Sequence, residues 1–174
     1  MTSELAPPAP VTIETDGRPF SFAAHNCFAC GTLNANGLGL VLHLEPDRCW
    51  TELALDRRFE GWDGIAHGGI TSTILDEVMA WSLVAADNWG VTARLAVEFR
   101  QPLPIGTRVR AEGWISRSRR RVVETAARIV DVASGVELAV ATGVYVAADE
   151  ARKRELQARY GFRRIDADAP EAVG

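Results

Sequence analysis

The chain has 174 residues, of which 47% are apolar and 24% charged, and its formal net charge is −4. That balance fits one globular domain with ordinary flanks and excludes a wholly disordered chain. Mild acidity without a basic helix face argues against nucleic acid as a partner, and no run approaches the roughly 20 apolar residues a membrane helix needs.

Residues 1–22 are rich in proline and small polar side chains and read as a mobile lead-in. Met1 to Val11 lacks the basic start and apolar centre of an export signal, so the expected compartment is the cytoplasm. The folded domain is expected over 23–148 and a tail with a short helix over 149–174. From Gly37 the pattern is strand-like, with Leu38, Leu40, Leu42 and Leu44 on one face. Pro46-Asp47 marks a turn, and Cys49 to Leu55 reads as the returning strand of a hairpin.

Phe59 to Ala66 reads as loop, punctuated by Gly61, Asp63 and Gly64. The period then changes: Ile70, Ile74, Leu75, Val78, Met79 and Leu83 recur at three- and four-residue spacing. The spacing predicts one long helix from Gly68 to about Ala86, apolar on most sides and therefore buried. Strands are expected over Thr92–Phe99, Thr107–Ser116, Arg121–Asp131 and Val136–Ala147, with a turn over Arg117–Arg120. Short links between them favour an antiparallel meander. The fold class is α+β: one long central helix wrapped by an antiparallel sheet of five to six strands. An exposed sheet edge is a place for a second copy to pair.

The run Gly61-Trp62-Asp63-Gly64-Ile65-Ala66-His67-Gly68-Gly69 leads into that helix. Each glycine costs about 1 kcal/mol against alanine in a helix, so two at its start suggest a close backbone approach. The first N–H groups of a helix lack internal partners and suit an anion or a developing oxyanion. The plain alternative is a junction needing unusual dihedrals. Asp76 sits mid-helix among apolar residues, beside Glu77. A carboxylate there is a candidate base or nucleophile, or else an interface ion pair. Seven residues separate Asp76 from Gly69, a rise of roughly 10 Å, so a site using both draws them from two subunits.

His67-Gly68-Gly69 followed by Asp76 resembles the active-site helix of PaaI-like hotdog thioesterases. Cys27-Phe28-Ala29-Cys30-Gly31, Asn34, Gly37-Leu38-Gly39-Leu40 and Phe59-Glu60-Gly61 are similar to the same family, so the resemblance spans Asn26 to Val146. It implies a hotdog fold and hydrolysis of an acyl-CoA thioester to free acid and CoA, without a cofactor. Asp76 would activate water or attack the thioester, the Gly68 or Gly69 N–H would polarise the carbonyl, His67 would shape the loop, and Thr92 would orient the water. The resemblance also implies a homodimer or dimer of dimers with shared sites. Some relatives carry an asparagine or similar side chain where this chain has Gly61, so no second oxyanion donor is named. Gly61 and Trp62 are assigned to substrate contact, and Glu77 to a supporting place beside Asp76.

Arg117, Arg119, Arg120 and Arg121 form a basic cluster. Arg119 and Arg120 are candidates for CoA phosphates, against a solvated turn. Cys27-x-x-Cys30 with His25 lacks the second ligand pair of a familiar zinc site, so no metal is expected, and three cysteines argue against a disulfide framework. Two other functions remain: a hotdog enoyl hydratase or dehydratase, and a catalytically silent acyl-CoA binding protein.

Overall fold

The computed structural model describes residues 11–13 and 20–164. Most of the lead-in expected over 1–22 and the end of the tail lie outside them. Two short antiparallel strands come first, β1 (Val11–Ile13) and β2 (Phe20–Phe22). The Leu38–Leu44 run becomes regular strand only at its end, β3 (His43–Glu45), although Leu40, Leu42 and Leu44 are all buried as their alternation requires. The segment before it is held from the other side, because Leu38 and Leu40 donate backbone N–H bonds to Phe28 and Ala29. Asp47, at φ 57°, turns the chain into β4 (Arg48–Ala54).

A single 3-10 turn (Arg57–Phe59) precedes two very short paired strands, β5 (Glu60–Trp62) and β6 (Ile65–Ala66). The stretch expected as loop is therefore a tight hairpin, turned at Gly64 with φ 75°. Helix α1 (Gly68–Ala85) follows, with Ile74, Leu75, Val78, Met79 and Leu83 essentially without solvent contact. Asp87, at φ 58°, reverses the chain into β7 (Gly90–Phe99).

The meander continues with β8 (Arg108–Arg119), β9 (Val122–Asp131) and β10 (Glu137–Ala147). In β9, residues 123, 125, 127 and 129 are buried, the period of two expected of a strand with one face on a core. β8 runs further than its sequence pattern suggests. The turn is only Arg120-Arg121, with Arg120 at φ 54°, so Arg117 and Arg119 lie in the strand. Antiparallel pairing keeps such long charged ends ordered through backbone bonds alone. The tail forms α2 (Glu150–Arg159), then β11 (Arg163–Arg164). β11 pairs with β2, and Phe20 stacks on Phe162 at 5.0 Å.

The main sheet has six antiparallel strands in the order β3-β4-β8-β9-β10-β7, and α1 lies across one face as the centre of the core. This is a hotdog fold. β3 and β7 are the edge strands, and the outer side of β7 pairs with no strand among the described residues. It also leaves Val91 and Phe99 exposed, at 70% and 56%. No described helix is long and apolar enough to cross a membrane.

Candidate functional site

His67 is the N-cap of α1. Its Nδ1 accepts the Gly69 N–H at 2.9 Å, and its backbone oxygen accepts those of Ile70 and Thr71. Three of the first helical donors are thereby used. Gly68 N–H has no acceptor among the described residues, so it alone of the two glycine amides is available to a ligand. The approach to His67 is fixed by Ala66 N–H to Leu103 at 2.9 Å and His67 N–H to Phe59 at 2.8 Å. A cavity of about 300 Å³ adjoins this point, lined by Ile65, Gly68, Thr71, Phe99, Leu103 and Leu138 among others.

Gly61 lies against His67. A Cβ at that position would stand 2.9 Å from His67 Cα, closer than real contacts allow. The hairpin backbone itself packs on the capping residue. Trp62, next to it, is 84% exposed.

Asp76 is half-buried near the middle of α1. Its Oδ1 accepts from Tyr145 Oη at 2.6 Å and from Thr92 Oγ1 at 3.0 Å. Tyr145 Oη also lies 3.0 Å from the Asp76 backbone oxygen. Oδ2 has no partner among the described residues. Burial raises the Tyr145 hydroxyl well above the usual phenol range, and its bond to Asp76 adds to that, so it remains a donor. Thr92 and Tyr145 are directly paired between β7 and β10, which brings both hydroxyls to one carboxylate oxygen. The sequence reading named Thr92 and did not name Tyr145. The one signal available was a tyrosine on a strand face otherwise made of small or aliphatic residues.

Asp76 and Gly68 are eight residues apart on one helix, about 12 Å along its axis. Within one chain, the carboxylate group and the free amide therefore do not meet. Arg119 and Arg120 are exposed at the β8–β9 hairpin, with Arg117. The register aligns Ser118, Val123, Tyr145 and Thr92 across four strands, so the cluster is at the same end of the sheet as Thr92. Three interstrand steps separate it from Thr92, about 14 Å.

Glu77 points elsewhere. Its carboxylate accepts from Trp81 Nε1 at 2.9 Å and lies 3.8 Å from Cys27 Sγ, in a cavity also lined by His25, Cys30 and Trp89. Burial pushes its carboxyl up to about 7, helped by the charge of Cys27. Cys27 is lowered to about 5, first by the neighbouring Cys30 thiol and then, against burial, by the backbone N–H groups of Cys30 and Ala29. Cys30 is raised, as the partner that keeps its proton.

Residues 63–137 match the family model of the thioesterase superfamily. A comparison with curated proteins finds no match. Among solved structures, the chain is similar to a thioesterase superfamily protein at 24% identity and TM-score 0.66, covering 70% of this chain and 60% of that one. It is similar to the Escherichia coli PaaI protein from the phenylacetic acid degradation operon at 14% identity and TM-score 0.61, covering 64% and 81%. It is also similar to a hypothetical thioesterase from Streptococcus pneumoniae TIGR4, solved with coenzyme A, at 15% identity and TM-score 0.58, covering 60% and 81%. The chain thus has the hotdog fold of the PaaI-like thioesterases and carries the thioesterase superfamily pattern over residues 63–137.

Proposed function

We propose that the protein hydrolyses acyl-CoA thioesters, in a homodimer or a dimer of dimers whose sites each join two subunits. The observation that carries this reading is Asp76, held through one oxygen by Tyr145 and Thr92, with the other oxygen unpartnered among the described residues. A carboxylate so oriented suits removal of a proton from water. The second requirement is a donor for the thioester oxygen, and Gly68 N–H beside an apolar cavity meets it. Asp76 takes a proton from water as the oxygen of that water adds to the carbonyl carbon. The Gly68 amide of the other subunit stabilises the resulting oxyanion. The C–S bond then breaks, and the proton passes from Asp76 to the departing CoA sulfur. Direct attack by Asp76, through an anhydride, uses the same groups.

The helix rise between Asp76 and Gly68 supports the shared site, and the unpaired outer side of β7, which carries Thr92, supports a second copy there. The solved relative with coenzyme A supports CoA as the leaving group. The compartment proposed is the cytoplasm. The test is release of free thiol from a panel of aliphatic and aromatic acyl-CoAs. Turnover of at least one class supports hydrolysis. A change in enoyl absorbance without thiol release would assign a hydratase instead, and binding without turnover a silent binding protein.

A further inference from the structure

The sequence offers only Cys27-x-x-Cys30 and His25, with no second ligand pair nearby. Folding changes that. One imidazole nitrogen of His25 and the sulfurs of Cys27 and Cys30 all lie within 4.8 Å of one another. His25 Nε2 is 3.5 Å from Cys30 Sγ, and Cys27 Sγ is 3.8 Å from Glu77 Oε1. Tetrahedral zinc, at about 2.3 Å from sulfur and about 2.0 Å from nitrogen or oxygen, places such ligand pairs roughly 3.5 Å apart. His25, Cys27 and Cys30 are thus near coordination spacing, and Glu77, outside that group of three but 3.8 Å from Cys27 Sγ, is the carboxylate within reach of the fourth position.

The surroundings match as well. His25 Nδ1 lies 3.3 Å from the Ala23 carbonyl oxygen. Donation there leaves Nε2 as the lone-pair nitrogen, the arrangement typical of a metal-bound histidine. Glu77 is oriented by the Trp81 indole. The cysteine loop is closed by Gly31 N–H to Cys27 O at 2.9 Å and by Leu33 N–H to His25 O at 3.1 Å. A Cβ on Gly31 would fall 2.4 Å from Cys27 N and 2.5 Å from His25 O, so this fold of the loop admits only glycine.

We propose that His25, Cys27, Cys30 and Glu77 bind a zinc ion that fastens the 25–31 loop to α1, one residue from Asp76. Two thiolates, an imidazole and a carboxylate form a borderline-soft set suited to zinc rather than magnesium or calcium. Binding stabilises the folded chain. The site stands apart from hydrolysis, since neither Gly68 nor the Oδ1 bonds of Asp76 take part in it.

Full-length protein is purified without chelator under reducing, oxygen-free conditions and analysed for zinc, and the metal-free protein is titrated with Co²⁺. About one zinc per chain is expected, with intense visible bands of tetrahedral thiolate cobalt that saturate at about one equivalent and vanish when Zn²⁺ is added. Cys27→Ser and Cys30→Ser lose the bands, Cys49→Ser keeps them, and Glu77→Gln weakens binding by at least ~10-fold. Because the wild-type titration needs no variant, a misfolded mutant does not mask the answer. Only faint octahedral bands, binding that persists in Cys27→Ser, or a Cys27–Cys30 disulfide in the reduced preparation would overturn the proposal.

Discussion

The Tyr145 hydroxyl donates to Oδ1 of Asp76 at 2.6 Å, joining the last long strand to the central helix across 69 residues of sequence. A hydrogen bond to a charged acceptor contributes about 1.5–3 kcal/mol. It also favours the ionised form of the acid it serves. Tyr145→Phe is therefore expected to lower kcat by roughly 10- to 100-fold with little change in KM, on the principle that the lost bond acts at the reacting carboxylate. Steady-state rates beside the wild type check it.

Gly68 N–H can be removed without breaking the helix. Proline is tolerated at the first helical position, and His67, at φ −62° and ψ 132°, already has the extended backbone a following proline requires. Gly68→Pro is expected to reduce kcat about 100-fold, the scale of a lost oxyanion donor, while circular dichroism stays as in the wild type.

That variant also tests the shared site. If Asp76 and Gly68 of different subunits meet, a heterodimer of Asp76→Asn and Gly68→Pro chains retains one intact site. Unfolding and refolding an equal mixture should restore about a quarter of wild-type activity, given random pairing of two chains. A site built within one chain restores none.

Gly61 packs on the residue that caps the helix. Gly61→Ala is expected to displace His67 and cost about 1 kcal/mol or more, the scale of a disturbed N-cap, visible as a lower Tm.

How much of this was legible in sequence differs by feature. The α1 bounds were, because period 3.6 and paired glycines act locally. Thr92 was named through the family resemblance as a residue to orient water, and its bond to Asp76 appears only in the folded chain. Tyr145 was not legible, since strand pairing that brings it to Asp76 leaves no local trace. Glu77 was given only a supporting place because adjacent helical residues diverge by about 100°, but that the 25–31 loop occupies its side left no trace in the sequence. The basic turn was expected to begin three residues too early because Arg117 and Arg119 carry no apolar alternation to mark them as strand.

The most direct test of the central claim is acyl-CoA hydrolysis by Asp76→Asn beside the wild type, with folding verified by circular dichroism and the same thioester panel. Asparagine keeps the size and the acceptor for Tyr145 but abolishes the base. A loss of at least ~100-fold in kcat, with the fold intact, is the expected result for a general base or nucleophile. Turnover that survives the change would contradict it and move the chemistry away from Asp76.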